Sequence, residues 1–449
     1  MSARGAAAEL LVAVLDHGAT LDDALESTPS FATLEGRDRA FAHAIAAASL
    51  RRLGGIDAML ARLLERPLPQ SATLARALLR SGAAQILVLG TPAHAAVGET
   101  VAAANALSQA RGFAKLINAV LRRVVGEGAA ALDALAPGGD LPTWLFTRWR
   151  AAYGAATAAA IAAALRAEPP LDLSVKDNAR HWAARLGGIL LPTESVRLSS
   201  PSRSGDGGED RASSDARSGP EGPRSWRGVG DLPGFAEGAW WVQDAAAALP
   251  ARMLGDVHGQ NVLDLCAAPG GKTLQLAAGG AHVTALDRSR ERLKRLEQNL
   301  RRTQLNAKVI CADALALKIR EPFDAVLLDA PCTATGTLRR HPEIAWLRKP
   351  DDVRALSELQ GELLSAAAQF VKPAGRLVYA VCSLEPEEGP GVIAQALQGG
   401  AWRREPLARG EIAGGDEFII SEGDLRTLPS HWSELGGLDG FYAARLVKT

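Results

Sequence analysis

Charge of either sign is what this sequence lacks first. Fifty lysines and arginines stand against fifty aspartates and glutamates, a formal net charge of zero. No global field therefore recruits nucleic acid, and any such contact must come from local patches. Cysteine is scarce, with Cys266, Cys311, Cys332 and Cys382 the four in 449 residues. None sits in a CxxC or other metal-ligand spacing, so no metal is expected and free thiols in a reducing cytosol are. Long apolar runs are missing too. The longest uncharged one, around Ala155–Leu165, is mostly alanine and too short to span a bilayer. Glu9 interrupts the one amino-terminal stretch that could read as a signal segment. These absences predict a soluble cytoplasmic protein. Among the 45 glycines the dinucleotide fingerprint G-x-G-x-x-G does not occur at the turn where it would matter, Ala267-Ala268-Pro269-Gly270-Gly271-Lys272.

What is present divides the chain, which is too long for one core. From Ala3 to about Val125 apolar residues recur at helical spacing, with breaks expected at Gly54–Gly55, Pro67–Pro69 and Gly90–Pro92. Four to seven helices would make an all-α domain over residues 1–126. Gly126 to Pro142 reads as a linker. Residues 143–230 read as a small α+β segment, with a strand at Leu171–Val175 and a helix from Trp182 to Leu186. Within it, Ser199 to Pro223 is Ser, Gly, Asp and Arg with almost nothing apolar, the composition of a mobile loop. Residues 231–449 alternate strand and helix, which predicts a doubly wound parallel sheet. The strands are expected at Val262–Cys266, His282–Asp287, Ala307–Asp313, Asp324–Ala330 and Gly375–Cys382. A last one near Gly440–Leu446 should close the sheet antiparallel.

The chemistry gathers at the carboxyl ends of those strands. Asn261–Thr273 reads as a buried strand delivering a Gly-rich turn, where Gly270 and Gly271 let backbone N–H groups approach a ligand. Asp287, Asp313 and Asp329 end the next three strands, where an open parallel sheet binds its ligand. Asp287 suits both ribose hydroxyls and Asp313 the adenine edge. A turn without a phosphate cradle but with Lys272 beside it favours S-adenosylmethionine over a nicotinamide dinucleotide. Cys332, in Asp329-Ala330-Pro331-Cys332, and Cys382 end adjacent strands and should face one pocket. Carbon 5 of cytosine is a poor nucleophile; a thiolate adding to carbon 6 makes it one, splitting a hard step in two. A desolvated Asp329 with raised pKa could serve the ring N3. Cys266 and Cys311 look structural, and the basic helix Arg288–Arg302 reads as a solvated face.

Two resemblances follow from these residues. Asp38-Arg39, Leu50-Arg51, Ile56-Asp57, Gln85-Ile86-Leu87, Pro92–Glu99 and Ile117–Arg122 resemble the NusB-type RNA-binding domain, with Gly98 standing where that family usually has Asn. This implies phosphate contacts from Arg37, Arg39, Arg51, Arg122 and Arg123. Residues 261–273, 323–346 and 375–389 resemble RNA 5-methylcytosine methyltransferases of the Sun/NOL1/NOP2 type, and the two resemblances together cover nearly the whole chain outside Ser199–Pro223. The implied fold is an all-α NusB-like domain followed by a Rossmann-like class I methyltransferase domain. The implied activity is methylation of carbon 5 of a cytosine in RNA, 16S ribosomal RNA above all, by a monomer. Carried over by motif, Cys382 is the nucleophile and Cys332 assists release of the adduct. Cys266, Ala267, Ala268, Pro269, Gly270, Gly271, Lys272, Asp287, Asp313 and Asp329 bind S-adenosylmethionine, Asp329 also near the target base. Arg339-Arg340-His341-Pro342 would grip the substrate strand. A DNA cytosine-5 methyltransferase would instead attack through Cys332, and a non-catalytic assembly factor would need neither thiol.

Overall fold

Alanine-rich stretches with few helix breakers form the amino-terminal helices. In the computed structural model, which describes residues 2–198 and 228–449, these are Ala3–Leu15, Leu21–Ser27, Pro29–Ala32, Gly36–Arg51, Leu53–Leu63, Thr73–Leu87, Ala93–Ala106 and Ala114–Asp133. The single turn Pro29–Ala32 takes the number one past the expected range, since Pro29 starts a new helix after the extended Thr28. The break expected at Gly54–Gly55 falls at Arg52, and both glycines lie in the first turn of Leu53–Leu63. A Cβ on Gly54 would meet the Gly139 carbonyl oxygen at 2.5 Å, and one on Gly55 would meet Asp140 Oδ1 at 2.5 Å. These glycines serve close packing instead.

The expected linker after Gly126 is also partly helical, for Ala114–Asp133 continues through it with a kink at Gly128, φ 73°. Its remainder is anchored: Arg52 Nε lies 3.1 Å from Asp140 Oδ1, Arg166 Nε 2.8 Å from Asp140 Oδ2 and Arg52 Nη1 3.0 Å from Asp133. Arg52 and Asp140 are both buried, and each keeps a second partner, Asp133 for Arg52 and Arg166 for Asp140, so the charges are compensated as a network.

The chain divides into two compact units, Met1–Ala167 with Thr337–Pro350, and Glu168–Gly336 with Asp351–Thr449. This differs from the three sequence segments, because the helix Thr143–Ala164 belongs with the first unit. So does the excursion at 337–350, whose helix Ile344–Leu347 packs on the helical core through Leu347. Ser199–Pro223, expected to be a loop, lies outside the described residues. Among those described, no helix is long and apolar enough to cross a membrane.

The second unit holds two sheets. The smaller contains β1 (Leu171–Val175), β2 (Ile189–Leu190), β3 (Val196–Leu198) and β4 (Trp240–Val242), in the antiparallel order β2-β3-β1-β4. The larger contains β5 (Asn261–Leu265), β6 (His282–Asp287), β7 (Ala307–Cys311), β8 (Phe323–Asp329), β9 (Val371–Val381), β10 (Trp402–Arg404), β11 (Leu425–Thr427) and β12 (Phe441–Lys448). Its order is β10-β12-β9-β8-β5-β6-β7, with β11 on β12. Strands β5 to β9 pair in parallel and β12 runs antiparallel to β9. The run of β5 shows why the sheet is buried on both faces. Val262 packs into one core with Val283 and Leu327, while Leu263 and Leu265 pack into the other with Leu328 and Tyr379. Since the chain goes from β5 outward to β7 and returns through β8, the order reverses between β5 and β8. Ligands of open α/β sheets bind at that point.

Candidate active site

Strand β5 ends in a turn whose shape is dictated by its residues. Cys266 takes φ 60°, the Ala268–Pro269 peptide is cis, and Gly270 takes φ 107°. A Cβ on Gly270 would sit 2.8 Å from Leu296 Cγ, so only glycine fits there. The helix Gly271–Ala278 starts directly afterwards. Ala267 and Pro269 to Lys272, with Trp241, Gln243 and Asp329, line a cleft of about 280 Å³. The glycines of the turn, the Lys272 ammonium and the Asp329 carboxylate in this lining suit a compact ligand carrying both charges, as the methyl donor expected there does.

Asp287, at the end of β6, is buried and fixed to this turn: Oδ2 accepts from the Ala268 N–H at 3.2 Å and Oδ1 from Ser289 N–H at 2.8 Å. Arg292 closes the arrangement, with Nη1 3.5 Å from Asp287 Oδ2 and Nη2 donating to the Ala268 carbonyl. Ser289, not Asp287, caps the following helix. Asp313 is placed differently. Strand β7 stops at Cys311, and Asp313 lies exposed in the turn beyond, accepting from Leu315 N–H at 2.9 Å. Cys311 is exposed rather than packed. For Cys266, burial and then the charges of Asp287, Asp329 and Asp264 push the thiol up to about 12, so it stays protonated.

Lys272 reaches across the switch point to Asp329 at the end of β8, Nζ to Oδ2 at 2.8 Å, and also lies 5.2 Å from the centre of the Phe441 ring. Burial pulls its ammonium down, but the charge and hydrogen bond of Asp329, then Cys382 and Asp264, outweigh it and leave the pKa raised. A cation thus contacts Asp329, where the sequence suggested desolvation.

The two thiols meet. Cys332 Sγ and Cys382 Sγ are 3.5 Å apart although fifty residues separate them in the chain. Parallel pairing of β8 with β9 brings them together, and two backbone bonds lock their segments, Ala330 N–H to Ala380 O at 2.9 Å and Gly336 N–H to Cys382 O at 3.0 Å. Their surroundings differ. Cys332 is buried, and the hydrogen bond to Cys382, then burial, then the charges of Cys382 and Glu388 raise its pKa well above the ordinary thiol value. Cys382 is only partly covered and contributes to the field on Lys272.

Several residues went unread in the sequence. Asp264, mid-strand in β5, is fully buried with Thr273 Oγ1 donating to Oδ2 at 2.6 Å. Burial pushes its carboxyl up to about 7. Glu388, noted only as part of a motif, is equally buried and collects donors from both thiol segments. Their signal was a charged residue inside an otherwise apolar or turn-forming run. Arg339 departs from the expected substrate grip. It is buried in the helical unit, where its carbonyl accepts from Arg51 Nη2 at 2.7 Å, Glu343 Oε1 accepts from Leu21 N–H and Trp346 Nε1 donates to Leu50 O.

Known proteins share this organisation. Residues 251–447 match the family model described as 16S rRNA methyltransferase RsmB/F, and residues 1–126 match the NusB family. The ribosomal RNA small subunit methyltransferase B of Pseudomonas putida is 38% identical over 464 aligned residues, covering 100% of this chain and 99% of its own. That of Vibrio cholerae is 37% identical, covering 100% and 98%. Among solved structures, a methyltransferase homologue from Pyrococcus horikoshii is 26% identical with TM-score 0.53, over 69% of this chain and 96% of its own. The crystal structure of PH0851, at 23% identity, shares the fold over 99% of both chains with TM-score 0.73. With both its helical and its α/β parts matched and relatives aligned from end to end, the chain belongs to the ribosomal RNA small subunit methyltransferase B family.

Proposed function

We propose that this protein methylates carbon 5 of a cytosine in small-subunit ribosomal RNA through an adduct between Cys382 and carbon 6 of the base. The observation that carries this reading is the pair of thiols 3.5 Å apart beside the Lys272–Asp329 ion pair. S-adenosylmethionine supplies the electrophilic methyl group, and Cys266 to Lys272 with Asp287 and Asp329 would hold it; Asp313, from the turn after β7, would reach its adenine edge.

The unequal settings of the thiols divide the labour between them. Cys382 is the less covered sulfur, and as the thiolate it would attack carbon 6 of the base. Cys332 keeps its proton and can donate it toward that thiolate. When Cys382 bonds to carbon 6 its negative charge is consumed. The leading cause that holds Cys332 up, its hydrogen bond to Cys382, then disappears; Cys332 would lose its proton to solvent and, as the thiolate, take the one leaving carbon 5. Elimination of Cys382 regenerates the base aromaticity and frees the product. Asp329, held by Lys272, would accept from the cytosine amino group. In the helical unit, exposed Arg37, Arg39, Arg122 and Arg123 would contact RNA phosphates.

Mass mapping of 5-methylcytosine in small-subunit ribosomal RNA from cells with and without the protein tests the reading. One cytosine should lose its methyl group in the deletion strain and regain it with the purified protein. An identical methylation map in both strains would sink the proposal.

A further inference from the structure

Behind the thiols lies a carboxylate that none of these steps uses. Glu388 is 0% exposed. Its side chain accepts from Thr333 N–H at 2.7 Å, from Gln360 Nε2 at 3.2 Å, and from the hydroxyls of Thr333 and Ser383. Its own carbonyl accepts from Tyr379 OH at 2.5 Å, and Gln360 Nε2 also donates to Pro331 O at 2.9 Å. Thr333 follows Cys332 in the chain and Ser383 follows Cys382. One buried group therefore fastens the residue after each thiol.

We infer that Glu388 is a positioning residue, which sets the mutual register of Cys332 and Cys382 by gripping Thr333 and Ser383 together. The inference rests on the two-thiol reading above. A buried carboxylate is costly unless its lone pairs are filled, and here four donors fill them. A merely space-filling side chain would need none of this. Glutamine has the same shape but one acceptor oxygen, so its amide nitrogen would face the two hydroxyls, which would have to turn from donors into acceptors. Burial raises the Glu388 pKa, opposed by its bonds to Ser383, Thr333 and Gln360, and its charge in turn helps keep the Cys332 proton in place. Arg426 reinforces the same segment, donating Nη1 to the Ser383 carbonyl at 2.6 Å.

Two readouts on the full-length protein test this. The first reports geometry without RNA: diamide, a two-electron oxidant, takes up both thiol protons and both electrons to become a hydrazine as the Cys332–Cys382 disulfide forms, and mass spectrometry counts the linked peptides. The second is steady-state methyl transfer. Glu388→Gln should slow disulfide coupling by roughly 10-fold and lower kcat by about 10²-fold, the scale of a 1 Å misplacement, while KM for both substrates stays within about 2-fold. Ser383→Ala and Thr333→Val each remove one tie and should slow coupling by roughly 3-fold. These two decide the matter should Glu388→Gln fail to bind S-adenosylmethionine. Wild-type coupling rates in the variants that bind S-adenosylmethionine would overturn the inference. Coupling of the thiols in wild type alongside a Cys332→Ala variant that never traps an adduct with cytosine RNA would overturn the cytosine reading instead, leaving the tie itself supported.

Discussion

The turn after β5 and the thiol pair sit at the same edge of one sheet, yet they are put together in opposite ways. The turn draws on one contiguous stretch, Cys266 to Lys272, and its shape comes from backbone: positive φ at Cys266 and Gly270 and a helix starting at Gly271. The thiol pair joins residues fifty apart, and its shape comes from side chains that β8 and β9 bring together, with Glu388, Ser383, Thr333 and Gln360 in one buried network. A backbone-built site tolerates the loss of a side chain, whereas a network-built one concentrates its function in a few groups. Substitutions on the two sides should therefore differ in size and in kind.

The largest effect is expected on the thiol side. Cys382→Ala should abolish methyl transfer, with S-adenosylmethionine affinity unchanged because the cofactor turn does not depend on that sulfur. Single-turnover assays check the first and calorimetry the second. Methyl transfer persisting within about 10-fold of wild type would show that Cys382 is not the nucleophile.

The next effect lies in the strand that delivers the turn. Asp264 ties β5 to the helix after the turn, and its carboxyl rises to about 7 in the fold from an ordinary 3.8. Between those values the unfolded chain gives up its proton while the folded protein keeps it. Stability is thus fully present below the lower value and falls as pH rises to about 7, by on the order of 4 kcal/mol at most. Asp264→Asn keeps the shape and cannot ionise. Chemical denaturation at stepped pH should show the variant gaining on wild type between pH 4 and 7; a constant difference would remove Asp264 from this role.

On the backbone-built side the effect should be smaller. Asp287→Ala should weaken S-adenosylmethionine by roughly 1.5–3 kcal/mol, the worth of a charge-assisted hydrogen-bonded contact. Titration calorimetry reads this directly, and unchanged affinity would move the ribose elsewhere. Smallest of all, Arg37→Ala or Arg122→Ala should each reduce the salt slope of RNA binding by about 1, with the catalytic rate at saturating RNA unaltered. Equal slopes for variants and wild type would take those arginines off the RNA.

The same contrast explains what the sequence made legible. Strand β5, the Gly turn and the parallel alternation follow from local pattern, and they appear within a residue or two of their expected bounds, except that β9 begins at Val371, four residues before the expected Gly375. The meeting of Cys332 with Cys382 followed from strand order, a rule of topology rather than of spacing. The role of Glu388 was not legible, because its partners are fixed only when β8 and β9 pair. Arg339 misled for a related reason: a basic run reads as surface, and nothing local says that the segment at 337–350 is enclosed by helices from the other end of the chain. Gly54 and Gly55 looked like breakers, while their packing partner, Asp140, lies far along the sequence.

The account's central claim is the division of labour between the two thiols. A denaturing gel of Cys382→Ala and Cys332→Ala, each incubated with labelled cytosine-bearing RNA and S-adenosylmethionine, tests it most directly. The predicted result is a denaturant-resistant protein–RNA complex that accumulates with Cys332→Ala, which can attack but not release, and none with Cys382→Ala. A complex that accumulates with Cys382→Ala and not with Cys332→Ala would contradict the account and make Cys332 the nucleophile.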